Sequence, residues 1–397
     1  MDGQKMNIAV IIDSELNSGG GFQYEIALAM ELNRINQYRV YFFVLNEKSR
    51  EILGNYGIES TLIESSFWDK ITRYINRQSC FYRLSEKLRL ISFFEKTIEK
   101  YDIDLVYFTS PSGLALDLIR HNYVITVWDL CHRDHPEFPE VNFYRQFEIR
   151  EQLYTNVLKK AVAVITDNEI TREKLSSWYG VDKNRIHIIP FPIPVQSRPN
   201  RQIDVRAKYS IEGDYIYYPA QFWPHKNHVY ILEAIKILKQ KEIELTAVFS
   251  GSDKGNLHYV MQYAKQIGVS EQVKFIGFVP PEEIYSLYEN ALALVMPTYF
   301  GPTNLPPLEA FAIGVPVIYS NLEDMKEQVG DSALLCDLKS PNSLAENLIK
   351  LKKCPSLRDE LVKKGREKLS ALTKSNVMAT LEKIFERYEI KLKCWKN

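Results

Sequence analysis

No stretch of this sequence reaches the roughly 20 apolar residues that a membrane-spanning helix needs. The apolar run at 8–12 is too short for a signal peptide, and no cleavage site follows it. An excess of either charge is also missing. Lys+Arg and Asp+Glu number 50 each, so no global basic field of the kind that attracts nucleic acid exists. Cysteine is sparse: Cys80, Cys131, Cys336, Cys354 and Cys394 are scattered and odd in number. That pattern offers neither a disulfide framework nor a zinc knuckle and points to a reducing interior. Together these absences predict a cytoplasmic protein, held at a membrane at most by its surface.

What is present is length and alternation. The 397 residues exceed one small core and suit two domains. Short runs rich in Val, Ile, Tyr and Phe recur at 8–12, 40–45, 105–108, 123–127, 161–166 and 186–189, with helix-period segments between them. Runs that are apolar on both faces read as buried parallel strands. Residues 190–213 are rich in proline and charge, which is linker chemistry. The alternation then restarts at 215–219, 245–250, 273–275, 291–296, 315–319 and 333–336. The expected fold is α/β, with two Rossmann-like, doubly wound domains. The expected boundaries are 1–195, a linker at 196–213, a second domain at 214–375, and a helix at 376–397 that packs back on the N-terminal domain.

Residues 296–318 read as strand, loop, short helix, turn, strand. Pro306 and Pro307 suit a helix start, and Gly314 with Pro316 suits its end. The loop Gly301-Pro302-Thr303-Asn304, followed by Leu305, then offers backbone N–H groups at a helix N-terminus beyond a strand end, a seat for a pyrophosphate. Glu309, one turn in, can accept hydrogen bonds from a ribose diol. The alternative for Thr303 and Asn304 is helix capping.

This stretch resembles the signature of the large retaining glycosyltransferase family that shares the glycogen-phosphorylase-like two-domain fold, the group 1 or family 4 enzymes. The resemblance implies two domains facing a cleft, a nucleoside-diphosphate-sugar donor, an oligosaccharide or lipid-linked acceptor, and no metal or other cofactor. Two glutamates with seven residues between them are usual there; Glu309 matches the second, which binds the donor's ribose. The first, which lies against the donor sugar, falls on Gly301. A second match follows the strand at 215–219: Lys226 stands where the family has a diphosphate-binding Lys, while the partner Arg position holds Gln221. Gly251 and Phe278 fall in loops that resemble the family's base-binding loops. The resemblance is strong over 214–340 and weak before 120.

In the N-terminal half, Asn17 to Gln23 carry Gly19, Gly20 and Gly21 between a strand and a helix. Gly20 marks a loop that in the resembled family faces the donor diphosphate and acceptor; a tight turn is the alternative. The cluster at 127–137 holds Asp129, Cys131, His132, Asp134, His135 and Glu137. Pro136 disfavours the helix that would bring His132 and His135 onto one face, so a metal site is not expected. The family often has His-Asp here, touching sugar or acceptor; Trp128 replaces that His and Asp129 remains. Asp129, Lys226 and His132 are therefore the candidate catalytic residues. Asp102 and Asp104 precede a strand rather than follow one, which argues against a metal-binding Asp-x-Asp site.

The implied reaction is transfer of a hexose-type sugar, with retention, in surface polysaccharide or O-antigen-type assembly. A UDP-sugar epimerase on the same scaffold and an inactive sugar-nucleotide binder are the alternatives. Residues 68–100 mix Arg73, Arg77, Arg83 and Lys87 with Trp68, Tyr74, Phe81 and Leu84. That profile suits peripheral contact with an anionic membrane; packing on the domain's own sheet is the alternative.

Overall fold

A computed structural model describes residues 5–14, 20–63, 91–190, 203–301, 303–373 and 377–396. The chain divides into two compact units. The first comprises Met1–Leu130, Arg145–Pro192 and Ser375–Asn397; the second comprises Cys131–Tyr144 and Ile193–Lys374.

The first unit holds a seven-stranded parallel sheet: β1 (Asn7–Ile12), β2 (Arg39–Val44), β3 (Ser60–Leu62), β4 (Leu105–Phe108), β5 (Asn122–Thr126), β6 (Ala163–Thr166) and β7 (Ile186–Ile188). Their spatial order is β3-β2-β1-β4-β5-β6-β7, so the winding direction reverses between β1 and β4. All six β1 residues are buried, as a strand covered on both faces requires. Alternate residues feed two cores. Ile8, Val10 and Ile12 face one, Ala9 and Ile11 the other. The edge strand β3 escaped the sequence reading because its three residues are only half-buried and carry no apolar run.

The second unit repeats the plan with six parallel strands: β8 (Tyr215–Pro219), β9 (Thr246–Ser250), β10 (Val273–Gly277), β11 (Ala293–Met296), β12 (Val317–Ser320) and β13 (Leu334–Cys336). The order β10-β9-β8-β11-β12-β13 reverses between β8 and β11. Loops beyond the carboxyl ends of strands at such a reversal diverge and leave a crevice.

Three boundaries differ from the sequence reading. Residues 131–144 pack with the second unit, because Phe138 and His135 lie against Phe300 there. The segment at 203–213 is not a bare linker: Val205 and Ile211 enter the second unit's core. The second unit begins at Ile193 rather than at 214. The helix Val377–Leu392 belongs to the first unit, where Leu381, Ile384 and Phe385 pack with Tyr38 and Tyr107. Its Tyr388 hydroxyl donates to the Asp104 carbonyl at 3.0 Å and accepts from Asn122 Nδ2 at 3.0 Å.

Most of the basic, apolar pattern at 68–100 lies outside the described residues. Its described end, the helix Phe93–Glu99, buries Phe94 and Ile98 in the first unit's core. Among the described residues no helix is long and apolar enough to cross a membrane.

Candidate active site

The second unit's winding reversal brings together the loops that follow β8 and β11. The 3₁₀ turn Pro224–Lys226 ends at Asn227, whose φ of 54° lets the helix His228–Gln240 start at an angle. Lys226 Nζ donates to Asn304 Oδ1 at 3.1 Å. The Tyr299 N–H donates to the His225 carbonyl at 2.9 Å, and the His225 ring stacks on Phe300 with centroids 3.7 Å apart. Lys226 and Asn304, predicted as site residues from separate motifs, therefore meet at this crevice.

Asn304 stands at the N-cap position of the helix Leu305–Ile313, yet its side chain makes no capping bond. Its Nδ2 donates to the Gly301 carbonyl at 2.5 Å and to the Tyr319 hydroxyl at 2.6 Å. Its backbone N–H donates to Gln328 Oε1 at 3.3 Å. Pro306 and Pro307 have no N–H, so the helix start supplies fewer donors to an anion than a free first turn would. The Lys226 ammonium makes up charge in the same place. Leu305 is buried and Thr303 half-buried beside it.

Gly301 has φ of +105°, and a Cβ there would lie 2.8 Å from Asn304 Oδ1. The space a side chain would need is filled by the Asn304 amide. Glu309 is 9% exposed, and its Oε2 accepts from the Tyr288 hydroxyl at 2.9 Å. Burial first, then the adjacent Glu309 charge, pushes the Tyr288 phenol well above its ordinary value, so this hydroxyl stays a donor.

The neighbouring loops are braced differently. Gln221 donates to Ser252 Oγ at 3.2 Å and accepts from Trp223 Nε1 at 3.1 Å, which ties the loop after β8 to the loop after β9. Gly251 has φ of +143°, and any Cβ would run into the Ala220 carbonyl; glycine is required there by packing. Phe278 is 76% exposed after β10, an aromatic face open to a planar ligand.

The first unit has a cavity of about 360 Å³ at its own reversal between β1 and β4. Asp13 and Ser14 follow β1, Ser110 and Pro111 follow β4, and Trp128 and Asp129 follow β5; Ile149, Arg150, Leu153 and Tyr154 close it. Arg150 Nη1 donates to Asp129 Oδ1 at 2.7 Å, with both side chains partly exposed. Beneath it lies Glu25, fully buried, accepting from Thr109 Oγ1 at 2.6 Å and from the Ser14 N–H at 2.9 Å. Burial pushes the Glu25 carboxyl up against the pull of those hydrogen bonds. Of the glycines in the first loop, Gly21 has a close neighbour within the protein. Gly20 opens the helix Gly20–Leu32, and a Cβ on Gly21 would lie 2.6 Å from the Trp128 ring.

His132 lies three residues beyond Asp129 in the chain. It is fully buried in the short helix Cys131–Asp134 and is counted with the second unit. His135 stacks on Phe300, 3.4 Å from Glu137. Among the described residues no three His, Cys, Asp or Glu side chains gather as a ligand set for a metal ion.

Two family models match, and between them they cover most of the chain: glycosyltransferase family 4 over residues 18–197 and glycosyl transferases group 1 over residues 202–368. The chain belongs to the group 1 glycosyltransferases. O-antigen chain mannosyltransferase B of Escherichia coli is 23% identical over 57% of this chain and 61% of that protein. O-antigen chain mannosyltransferase RfbU of Salmonella typhimurium is 27% identical over 60% of this chain and 63% of that protein. The match thus spans less than two thirds of the length of these relatives. The crystal structure of Anabaena HepE in complex with UDP has the same fold, with a TM-score of 0.72 at 15% identity, covering 97% of this chain and 100% of that one.

Three further residues stand out that no motif pointed to. Arg150, Glu25 and Glu140 are ordinary charged residues in helical sequence, and only their burial and partners single them out. The cluster around Asp129 offered the nearest sequence signal.

Proposed function

We propose that this glycosyltransferase moves a hexose-type sugar from a nucleoside diphosphate to a saccharide or lipid-linked saccharide, with retention, in surface polysaccharide assembly. The reading is carried by the meeting of Lys226 and Asn304 at the β8/β11 reversal, with Glu309 one turn into the adjoining helix. The diphosphate sits against the Lys226 ammonium and the loop at 301–304. The Glu309 carboxylate accepts from the ribose hydroxyls, and the open face of Phe278 stacks on the base. That HepE was crystallised with UDP and that two relatives are mannosyltransferases supports a sugar-nucleotide donor.

In the chemical step the bond from the anomeric carbon to the diphosphate oxygen breaks and the acceptor oxygen bonds to that carbon. The acceptor's proton passes to a phosphate oxygen of the leaving group. Negative charge develops on the diphosphate, and a fixed ammonium stabilises that charge without reorganising. This route uses no metal ion. The cavity beside Asp129 and Arg150 suits the acceptor: the pair offers both an acceptor and donors to sugar hydroxyls, and Trp128 offers an apolar wall. His132, being buried, has no part in this reading.

A thermal-shift panel of UDP-, GDP- and dTDP-sugars tests the proposal. Stabilisation by one nucleotide class, followed by release of the nucleoside diphosphate with a saccharide acceptor, is expected. Product formed from donor alone would indicate an epimerase instead, and binding without turnover on any acceptor would indicate an inactive binder.

A further inference from the structure

Residues 131–144 leave the first unit after Leu130, return to it at Arg145, and pack with the second unit in between. Their contact with that unit centres on one buried carboxylate. Glu140, in the short helix Pro139–Asn142, accepts twice through Oε1: from the His225 backbone N–H at 3.0 Å and from His225 Nδ1 at 2.5 Å. The two side chains are 7% and 10% exposed. Burial acts to raise the Glu140 carboxyl, but the hydrogen bonds from His225 prevail and hold it below the usual carboxylate range, so it is charged. Phe138, two residues earlier, sits edge-on to both His225 and Phe300 and tilts against Tyr299.

We propose that Glu140 is a positioning residue for Lys226, bracing the turn Pro224–Lys226 so that the ammonium faces the diphosphate. The proposal rests on the reading of Lys226 given above. The brace grips the residue immediately before Lys226. From there its effect reaches both loops of the crevice. The His225 carbonyl accepts from the Tyr299 N–H at 2.9 Å and from Thr298 Oγ1 at 3.3 Å, and its ring lies flat on Phe300 at an interplanar angle of 15°. The Lys226 carbonyl accepts from the Tyr218 hydroxyl at 2.9 Å, which anchors the far side of the turn to β8. A buried carboxylate that accepts from both the backbone N–H and the ring of one residue fixes where that residue sits. Here that position sets the placement of one lysine. A charge-assisted bond to both the backbone and the ring of His225 leaves the turn no freedom to roll the ammonium away from Asn304.

The test compares binding of UDP, GDP and dTDP with that of UMP, GMP and dTMP by calorimetry. The proteins are the wild type, Lys226→Ala, Glu140→Gln, Glu140→Ala and the double variant Lys226→Ala/Glu140→Gln. Thermal unfolding of each variant checks that it is folded. Lys226→Ala should remove the preference for diphosphate over monophosphate. Glu140→Ala should weaken the diphosphate about 10-fold and Glu140→Gln about 3-fold, with the monophosphate changed less than about 2-fold. In the Lys226→Ala background Glu140→Gln should add nothing, because its effect travels through the lysine. Glu140→Gln keeps an acceptor oxygen at the His225 N–H and carries the test if the alanine variant does not fold. Equal losses for diphosphate and monophosphate, or a further loss in the double variant, would overturn the inference. So would an intact preference in both Glu140 variants alongside its loss in Lys226→Ala. An intact preference in Lys226→Ala would instead overturn the placement of the diphosphate, and the Glu140 inference with it.

Discussion

Replacing Glu309 separates its two roles, because each role has its own partner. Within the protein, Glu309 Oε2 accepts from the Tyr288 hydroxyl, and Tyr288 is fully buried. Toward the ligand, its carboxylate is assigned the ribose hydroxyls. Glu309→Ala removes both interactions. The Tyr288 hydroxyl is left with the Pro306 carbonyl at 3.5 Å, too long to replace the lost bond, and an unsatisfied buried donor costs about 1–3 kcal/mol. A hydrogen bond to a charged group lost from the nucleotide costs a similar amount, about 1–3 kcal/mol. That is about 5- to 150-fold in the dissociation constant. Glu309→Gln keeps an acceptor oxygen for Tyr288 but drops the charge. Its unfolding midpoint should therefore stay near that of the wild type, while nucleotide affinity falls toward the lower end of the same range. Calorimetric titration with UDP, GDP and dTDP, paired with thermal unfolding, measures both quantities on the same samples. If folded Glu309→Gln and Glu309→Ala proteins bind the nucleotide as tightly as the wild type, the ribose assignment is wrong. If Glu309→Gln loses as much stability as Glu309→Ala, the account of Tyr288 is wrong.

Lys226→Ala should lower kcat by more than it raises the donor KM, since the ammonium is used most as the diphosphate leaves; an equal loss in both, seen in steady-state kinetics, would contradict this. Turnover should also survive EDTA, and activity that is abolished by EDTA and restored by Mg²⁺ or Mn²⁺ would overturn the metal-free route. His228 is boxed by Tyr218, Phe222 and Phe249, and burial first, then the Lys226 charge, lowers its pKa to about 3. The folded value lies below the unfolded value of about 6.5, so this contribution to stability is complete above about pH 6.5. It is lost as pH falls from there, at about 1.4 kcal/mol per unit. Urea unfolding of His228→Phe should show a shallower fall than the wild type between about pH 6.5 and pH 5, and parallel curves would refute the assignment. For the basic, apolar pattern at 68–100, flotation with anionic liposomes should show binding at low salt that weakens when Arg73, Arg77, Arg83 and Lys87 become Gln; no binding at low salt would end the membrane reading.

The strands were legible because burial on both faces writes a local signal. Among the described residues, twelve of thirteen strands coincide with apolar runs that can be picked out one segment at a time, and the missed one, β3, is a half-buried edge. The helix start at Leu305 and its stop at Gly314 were equally local, since proline and glycine act on their own backbone. Local rules left open what a distant partner decided. Asn304 looks like a capping residue, yet its amide is claimed by Gly301, Tyr319 and Lys226. Gly21 looks like a loop that approaches a ligand, yet the close neighbour is Trp128. The proline-rich stretch before β8 looks like linker, yet Val205 and Ile211 reach the core.

From the sequence alone came the two parallel α/β halves, the loops at their strand ends, and the candidates Asn304 and Glu309, because periodicity and turn chemistry act over a few residues; Lys226 and Asp129 came from the resemblance to the family. The tertiary structure alone decided which of those loops meet. Sheet order places β8 beside β11, and so brings Lys226 to Asn304 across 78 residues of chain. It sets Glu140 on His225 across 85 residues, moves residues 131–144 into the second unit, and pairs Asp129 with Arg150. Such pairings leave no periodic trace, because a hydrogen bond constrains the position of two atoms and not the residues that lie between them in the chain.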